Sequence, residues 1–111
     1  MTFTIEQNDP AVISLNGNVL GGAEAMEFTR AVSDLVREGI RHVVVDLSDV
    51  PVMNSSGLGM LVAASTSLRS AGGALAVAGA SEKIQGLFRM TRLDSVLAQY
   101  PTRDEAVAAY Q

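Results

Sequence analysis

A chain of 111 residues is one ordinary domain, spanning 1–111 and long enough to bury roughly two thirds of the surface its unfolded form would expose. Its net charge of −4 and pI near 4.7 lack the positive footprint that phosphate-backbone binding needs, so nucleic acid is not expected as a direct partner. Although 48% of residues are apolar, no uninterrupted apolar run reaches the ~20 residues of a membrane span, cysteine is absent, and MTFTIEQNDP lacks the basic and apolar regions of a signal peptide; a cytoplasmic protein without disulfides is expected.

TFTI alternates Phe3 and Ile5 with threonines, AVISL carries Ile13 and Leu15 on one face, and QNDP between them has turn chemistry, which predicts an opening antiparallel hairpin. From Ala23 to Glu38, Ala25, Phe28, Val32, Leu35 and Val36 recur at steps of three and four, so they share one face of a helix that Gly39 stops. HVVVDL, His42 to Leu47, is apolar on both alternating faces, as a central parallel strand with both sides covered should be. A second helix starts near Ser55 or Ser56, buries Leu58, Leu61, Val62, Ser65 and Leu68, and ends at Ala71–Gly73.

ALAVAGA reads as another buried strand, and Ser81 as the N-cap of a helix burying Ile84, Leu87 and Phe88. A short extended piece is expected around Ser95 to Leu97. In TRDEAVAAY, Thr102 and Glu105 form a capping box for the last helix. Met26, Met60 and Met90 fall at core-like spacing and read as packing residues. The order ββαβαβα(β)α gives an α/β fold: a four- to five-stranded mixed sheet with an antiparallel edge hairpin and about four helices.

On that map MNSSGLGMLVAA, Met53 to Ala64, lies where the central strand gives way to a helix, at the carboxyl end of the sheet, where open α/β sheets place their functional sites. Asn54 or Ser55 can cap the helix, and its free N–H groups would accept an added phosphate. Gly57 and Gly59 each weaken a helix by roughly 1 kcal/mol relative to Ala, but let another backbone come close. These residues fit a docking surface around an accessible hydroxyl; they fit equally a Ser/Asn cap with glycines packed against the sheet.

Other chemistries fail on this sequence. An α/β serine hydrolase needs G-x-S-x-G with a histidine and an acid, whereas the only histidine, His42, begins the buried strand and reads as a residue satisfied locally. A Walker loop needs a lysine that is missing, and GNVLGG, Gly17 to Gly22, does not match the dinucleotide fingerprint. Asp46 lacks the acidic pair that would hold Mg²⁺ and reads as a turn residue of DLSD. No catalytic residue, metal or cofactor is expected.

DLSDVPVMNSSGLGMLVAA, Asp46 to Ala64, resembles the signature of STAS domains, the bacterial anti-sigma factor antagonists, in which D-x-S-x-[VL]-x-x-[ML]-D-S-[ST]-G-[LI] joins the third strand to the second helix. The GG at Gly72 and Gly73, the strand after it and IQGLFRMTRLDSVL, Ile84 to Leu97, are similar in kind and order to the family's later half, so the resemblance spans nearly the whole chain. It implies that Ser55 is a phospho-acceptor for an ATP-dependent anti-sigma factor kinase, and that only the unphosphorylated antagonist binds that kinase tightly and frees a sigma factor, in a stress-type control of transcription. It further implies partner contacts at Asn18, Asn54, Ser55, Ser56, Gly57 and Leu58, and a monomer or weak dimer. Asn54 stands where the family usually has Asp, and GNVLGG replaces the common G-E-[IL]-D after the second strand. The same fold also serves as a module of other assemblies, stressosome-like or lipid-transporting, in which Ser55 would carry no phosphate. An enzyme with Ser55 as nucleophile has no assignable base.

Overall fold

The computed structural model describes all residues from Met1 to Gln111. β1 (Thr2–Glu6) and β2 (Ala11–Asn16) pair antiparallel, with Phe3 opposite Leu15 and Ile5 opposite Ile13, so the alternating apolar residues of the hairpin share one face. α1 (Ala23–Arg37) leads to β3 (His42–Asp49), α2 (Ser55–Ser70) to β4 (Ala74–Ala78), and α3 (Glu82–Met90) with a 3-10 turn (Leu93–Ser95) to β5 (Ala98–Tyr100); α4 (Arg103–Ala109) follows. The strands lie in chain order, β1-β2-β3-β4-β5, and from β2 onward all neighbours are parallel. This is the mixed sheet with an antiparallel edge that the periodicity predicts, and β3 is its middle.

The uninterrupted apolar run of β3 follows from burial on both faces. Val43, Val45 and Leu47 enter the larger core with Phe28, Val32 and Leu35 of α1, Leu58, Leu61 and Leu68 of α2, and Ile84 and Phe88 of α3. Val44 points the other way, into a smaller cluster with Val12, Ala78 and Ala106 of α4. Phe28 is fully buried and meets Phe3 edge to face at 6.2 Å between ring centroids. Burying such a side chain contributes about 1.5–3 kcal/mol, so the hairpin's alternation and the helix's three-four spacing reward each other.

Helix ends follow their residues. Ser81 Oγ accepts from the Ile84 N–H at 3.3 Å and Thr102 Oγ1 from the Glu105 N–H at 3.2 Å, whereas the return bond from Thr102 N–H to the Glu105 side chain is not formed. α2 closes in a Schellman arrangement, with the Gly73 N–H on Leu68 C=O and the Gly72 N–H on Arg69 C=O; Gly72 supplies the left-handed φ of +87°.

Four expectations need correction. The last strand is Ala98–Tyr100 rather than Ser95–Leu97, because Arg92, at φ +59°, turns the chain into the 3-10 segment and delays the strand by three residues. Met26 and Met90 are 68% and 85% exposed: Met26 sits about 100° around the helix from Ala25, off the buried stripe, and Met90 is the last residue of α3. Val62 and Leu87 are only half-buried. Asp46 lies within β3, where its Oδ1 accepts from the Ser48 backbone N–H at 3.0 Å.

At the amino end of β3, Asp9 accepts from the backbone N–H groups of Arg41 at 3.4 Å and His42 at 3.2 Å, and Asp9 Oδ1 also meets His42 Nδ1 at 3.3 Å. The His42 ring stacks on Tyr110 at 4.8 Å, and Arg103 pairs with Glu6. His42 is thus satisfied locally, as its position at a strand start predicts.

Candidate functional site

Beyond the carboxyl end of β3, residues Val50 to Met53 run alongside the loop Gly17–Gly22 that leaves β2. The Val19 N–H donates to Val52 C=O at 2.9 Å, the Asn54 N–H donates to Val19 C=O at 3.3 Å, and Val19 and Met53 form an isolated parallel bridge. The buried Val19 pins the loop against the start of α2.

Asn54 works in both directions. Its Oδ1 accepts from the Gly57 N–H at 2.9 Å, which caps α2, and its Nδ2 donates to Leu20 C=O at 3.3 Å. A backbone N–H on one side and a backbone carbonyl on the other leave a single orientation of the amide that satisfies both. An aspartate here would keep the cap and lose the donor, setting two oxygens against each other at the loop. The amide at position 54 is therefore matched to the loop that this chain carries.

Two glycines permit the approach. A Cβ on Gly57 would lie 2.2 Å from Val19 O, and one on Gly21, whose φ is +85°, would lie 2.8 Å from Ser56 Cβ. Around Gly59 a Cβ would meet nothing within 4 Å. Gly57 thus answers to the packing reading of the two glycines, while Gly59 leaves open surface.

Of the residues singled out in the sequence, Asn18, Asn54, Ser55 and Ser56 are exposed together, whereas Gly57 and Leu58 are buried, Leu58 at 3%. The latter two were expected to contact a partner; their place is beneath the surface, holding the exposed residues from behind. Sequence reading missed Leu20, which is 50% exposed beside Asn54, because its meaning depends on where the loop docks. The only signal for it was a leucine between asparagine and paired glycines, in a loop already distinctive for its composition.

Ser55 and Ser56 begin α2, and their N–H groups are among the four that a helix start leaves without an intrahelical partner. No acidic residue sits in this first turn, so the positive helix end faces outward uncompensated. His42 begins β3 and Ser55 follows its other end, an eight-residue strand of roughly 25 Å away, so the histidine does not adjoin the serine hydroxyl. No group of three or more His, Asp or Glu side chains is arranged to hold a metal ion, and no helix is long and apolar enough to cross a membrane. The arrangement offers hydroxyls, amides and one leucine for contact.

Comparison with known proteins agrees with this geometry. A family model of the STAS domain matches residues 2–106. A Thermotoga maritima protein assigned as an anti-sigma factor antagonist is 31% identical over 100 residues, covering 89% of this chain and 88% of its own. The crystal structure of an anti-sigma factor antagonist from Mycobacterium paratuberculosis is 28% identical with a TM-score of 0.83, over 98% of this chain and 92% of that one. The Bacillus cell fate determinant SpoIIAA in its phosphorylated form is 18% identical with a TM-score of 0.77, over 99% of this chain and all of that one, a likeness of fold alone. With the sheet order, the strand-to-helix signature and these matches in agreement, the chain belongs to the STAS domain family, that of the anti-sigma factor antagonists.

Proposed function

We propose that this protein is an anti-sigma factor antagonist of the cytoplasm: it binds an anti-sigma factor kinase through the surface at the start of α2, and phosphorylation of Ser55 by that kinase ends the binding. In the unmodified state it would hold the kinase and so free a sigma factor for transcription. The observation that carries this reading is the Ser55 hydroxyl, exposed and without a hydrogen bond in the fold, on the first residue of a helix whose cap is supplied by its neighbour. Relatives assigned as anti-sigma factor antagonists, and a structural neighbour known in a phosphorylated form, support it.

The physics of such a switch is simple. Phosphate adds about −1.5 to −2 charges at pH 7, which the free N–H groups and dipole of α2 accommodate, so the fold survives. Against a partner the same charge must be desolvated without a match, at several kcal/mol, or on the order of a hundredfold in affinity. The protein's part is that of substrate and ligand, with no reaction of its own.

The test is incubation with purified anti-sigma factor kinases and ATP, read by intact mass, followed by calorimetry. Gain of one phosphate, mapped to Ser55, is expected in wild type and in Ser56→Ala. Ser55→Ala should resist modification and keep the partner bound, while Ser55→Asp should bind more weakly with an unchanged melting temperature. Phosphate on Ser56 or on neither serine, together with equal affinities for Ser55→Asp and wild type, would replace the switch by an unmodified scaffold role. Ester or nucleotide turnover abolished by Ser55→Ala would make the protein an enzyme instead.

A further inference from the structure

Two stretches of the sequence carry no charged residue at all: Pro10 to Ala23, bounded by Asp9 and Glu24, and Val50 to Leu68, bounded by Asp49 and Arg69. They are far apart in the chain, and the fold joins them at one place, through the Val19–Val52 and Asn54–Val19 backbone bonds and the Asn54–Leu20 contact. The residues that these bonds gather around Ser55 are therefore themselves uncharged, in a protein whose net charge is −4. Only at the margins of this patch do charges return. Glu24, which pairs with the Met1 ammonium at 3.6 Å, lies beyond Gly22; Met1 also borders Gly17, whose N–H donates to the Asp49 carbonyl; and the groove running from Met53 along α3 contains Glu82 and Lys83, adjacent charges of opposite sign.

Within this patch one large apolar side chain stands out. Leu20 is 50% exposed, and it is held there: Val19 before it is bonded on both its N–H and its C=O, and its own carbonyl receives the Asn54 amide. An exposed leucine on a loose loop would lose conformational freedom on binding; a leucine whose backbone is fastened at Val19 and at its own carbonyl loses less. A fixed apolar side chain surrounded by uncharged polar groups is how an interface anchor looks, with a rim that excludes water around it.

Resting on the antagonist reading, we infer that this protein selects its partner through an uncharged contact: Leu20, presented by the Asn54 amide, enters an apolar pocket on the partner kinase, beside the site from which that kinase reaches Ser55. Two consequences follow. Unmodified protein binds with little dependence on salt, because few charges are paired across the contact. Phosphate on Ser55 then places the first charge in the patch.

Calorimetry with the anti-sigma factor kinase that binds the wild type, repeated from about 50 to 300 mM NaCl, tests this directly. Affinity should change by less than about threefold across that range, whereas a contact built on several ion pairs weakens by tenfold or more. Leu20→Ala should weaken binding at least tenfold and Leu20→Asp more, with Leu20→Met close to wild type and all three melting within a few degrees of it. Asn54→Asp, which keeps the helix cap, should also lose affinity. Binding that is steeply salt-dependent, or equal for Leu20→Ala and wild type, overturns the inference while leaving the antagonist reading intact. If wild type binds none of the kinases, the antagonist reading falls and the inference with it.

Discussion

Where β3 begins, charged and aromatic side chains hold neighbouring segments together: Asp9 bonds Arg41 and His42, His42 stacks on Tyr110, and Arg103 meets Glu6. Where β3 ends, the same task falls to backbone groups, glycines and a single amide, and the side chains left over point to solvent. The first end spends its polar groups on itself. The second keeps the hydroxyls of Ser55 and Ser56 unspent, because backbone-to-backbone bonds already fasten the loop, and a surface fastened from below can be altered above without loss of fold. This division explains how one strand can anchor the domain and also leave a surface free at its other end, the one proposed for a partner.

The largest effect should come from Gly57→Ala. In an open helix that change would stabilise by up to about 1 kcal/mol, but the new methyl would press on Val19 O, so a net loss of about 2–3 kcal/mol is expected in urea unfolding. A stabilised Gly57→Ala would mean that the loop does not rest on α2, and the contrast between the two ends would fail. Next, Asn54→Ala removes a cap and the tie to Leu20 and should cost about 1–2 kcal/mol, while Asn54→Asp should recover the cap's share alone, since its carboxylate cannot donate to Leu20 C=O; denaturant midpoints of the three proteins decide.

At the other end, Asp9→Ala should cost about 0.5–1.5 kcal/mol in the same assay and leave partner affinity untouched, since its bonds lie across the strand from the docking face. A loss of binding there would show that the ends are coupled. Gly59→Ala, with nothing within 4 Å, should stabilise by up to about 1 kcal/mol; if its thermal gain comes with lost affinity, the partner's footprint extends one turn along α2.

The smallest effect is an alkaline one. Burial, and to a lesser degree Tyr100, raise the Tyr110 phenol above 10.0. The folded state therefore keeps a proton that the unfolded chain has released, and the stability due to this is complete below pH 10 and lost as pH rises through the folded value. Melting temperatures between about pH 9 and 11 should fall less steeply in Tyr110→Phe than in wild type.

What the sequence made legible were features written in local chemistry. A β-branched run apolar on both faces read as a central strand, and the helix start was placed at Ser55 or Ser56, with Asn54 or Ser55 as its cap, because capping is decided within four residues; the structure selects Asn54 and Ser55. β5 was misplaced because three edge residues carry no period and the preceding turn depends on a left-handed Arg92. Met26 and Met90 were read as core because spacing counts residues, whereas burial depends on the face. The site was half legible. Its serines and cap could be named, but the role of Leu20 and the second bond of Asn54 arise only when two distant, uncharged segments meet.

The strands lie across the sheet in the order in which they occur along the chain. Each strand made therefore finds its pairing partner in the strand completed before it, across no more than one helical connection, and no pairing has to wait for a later part of the chain. Loop-closure entropy stays low for a parallel sheet, which favours quick folding and shortens the time that bare strand edges are exposed to other molecules. Every group of the proposed docking face falls between Asn18 and Gly59, so on the ribosome its last residue is made before β4 begins.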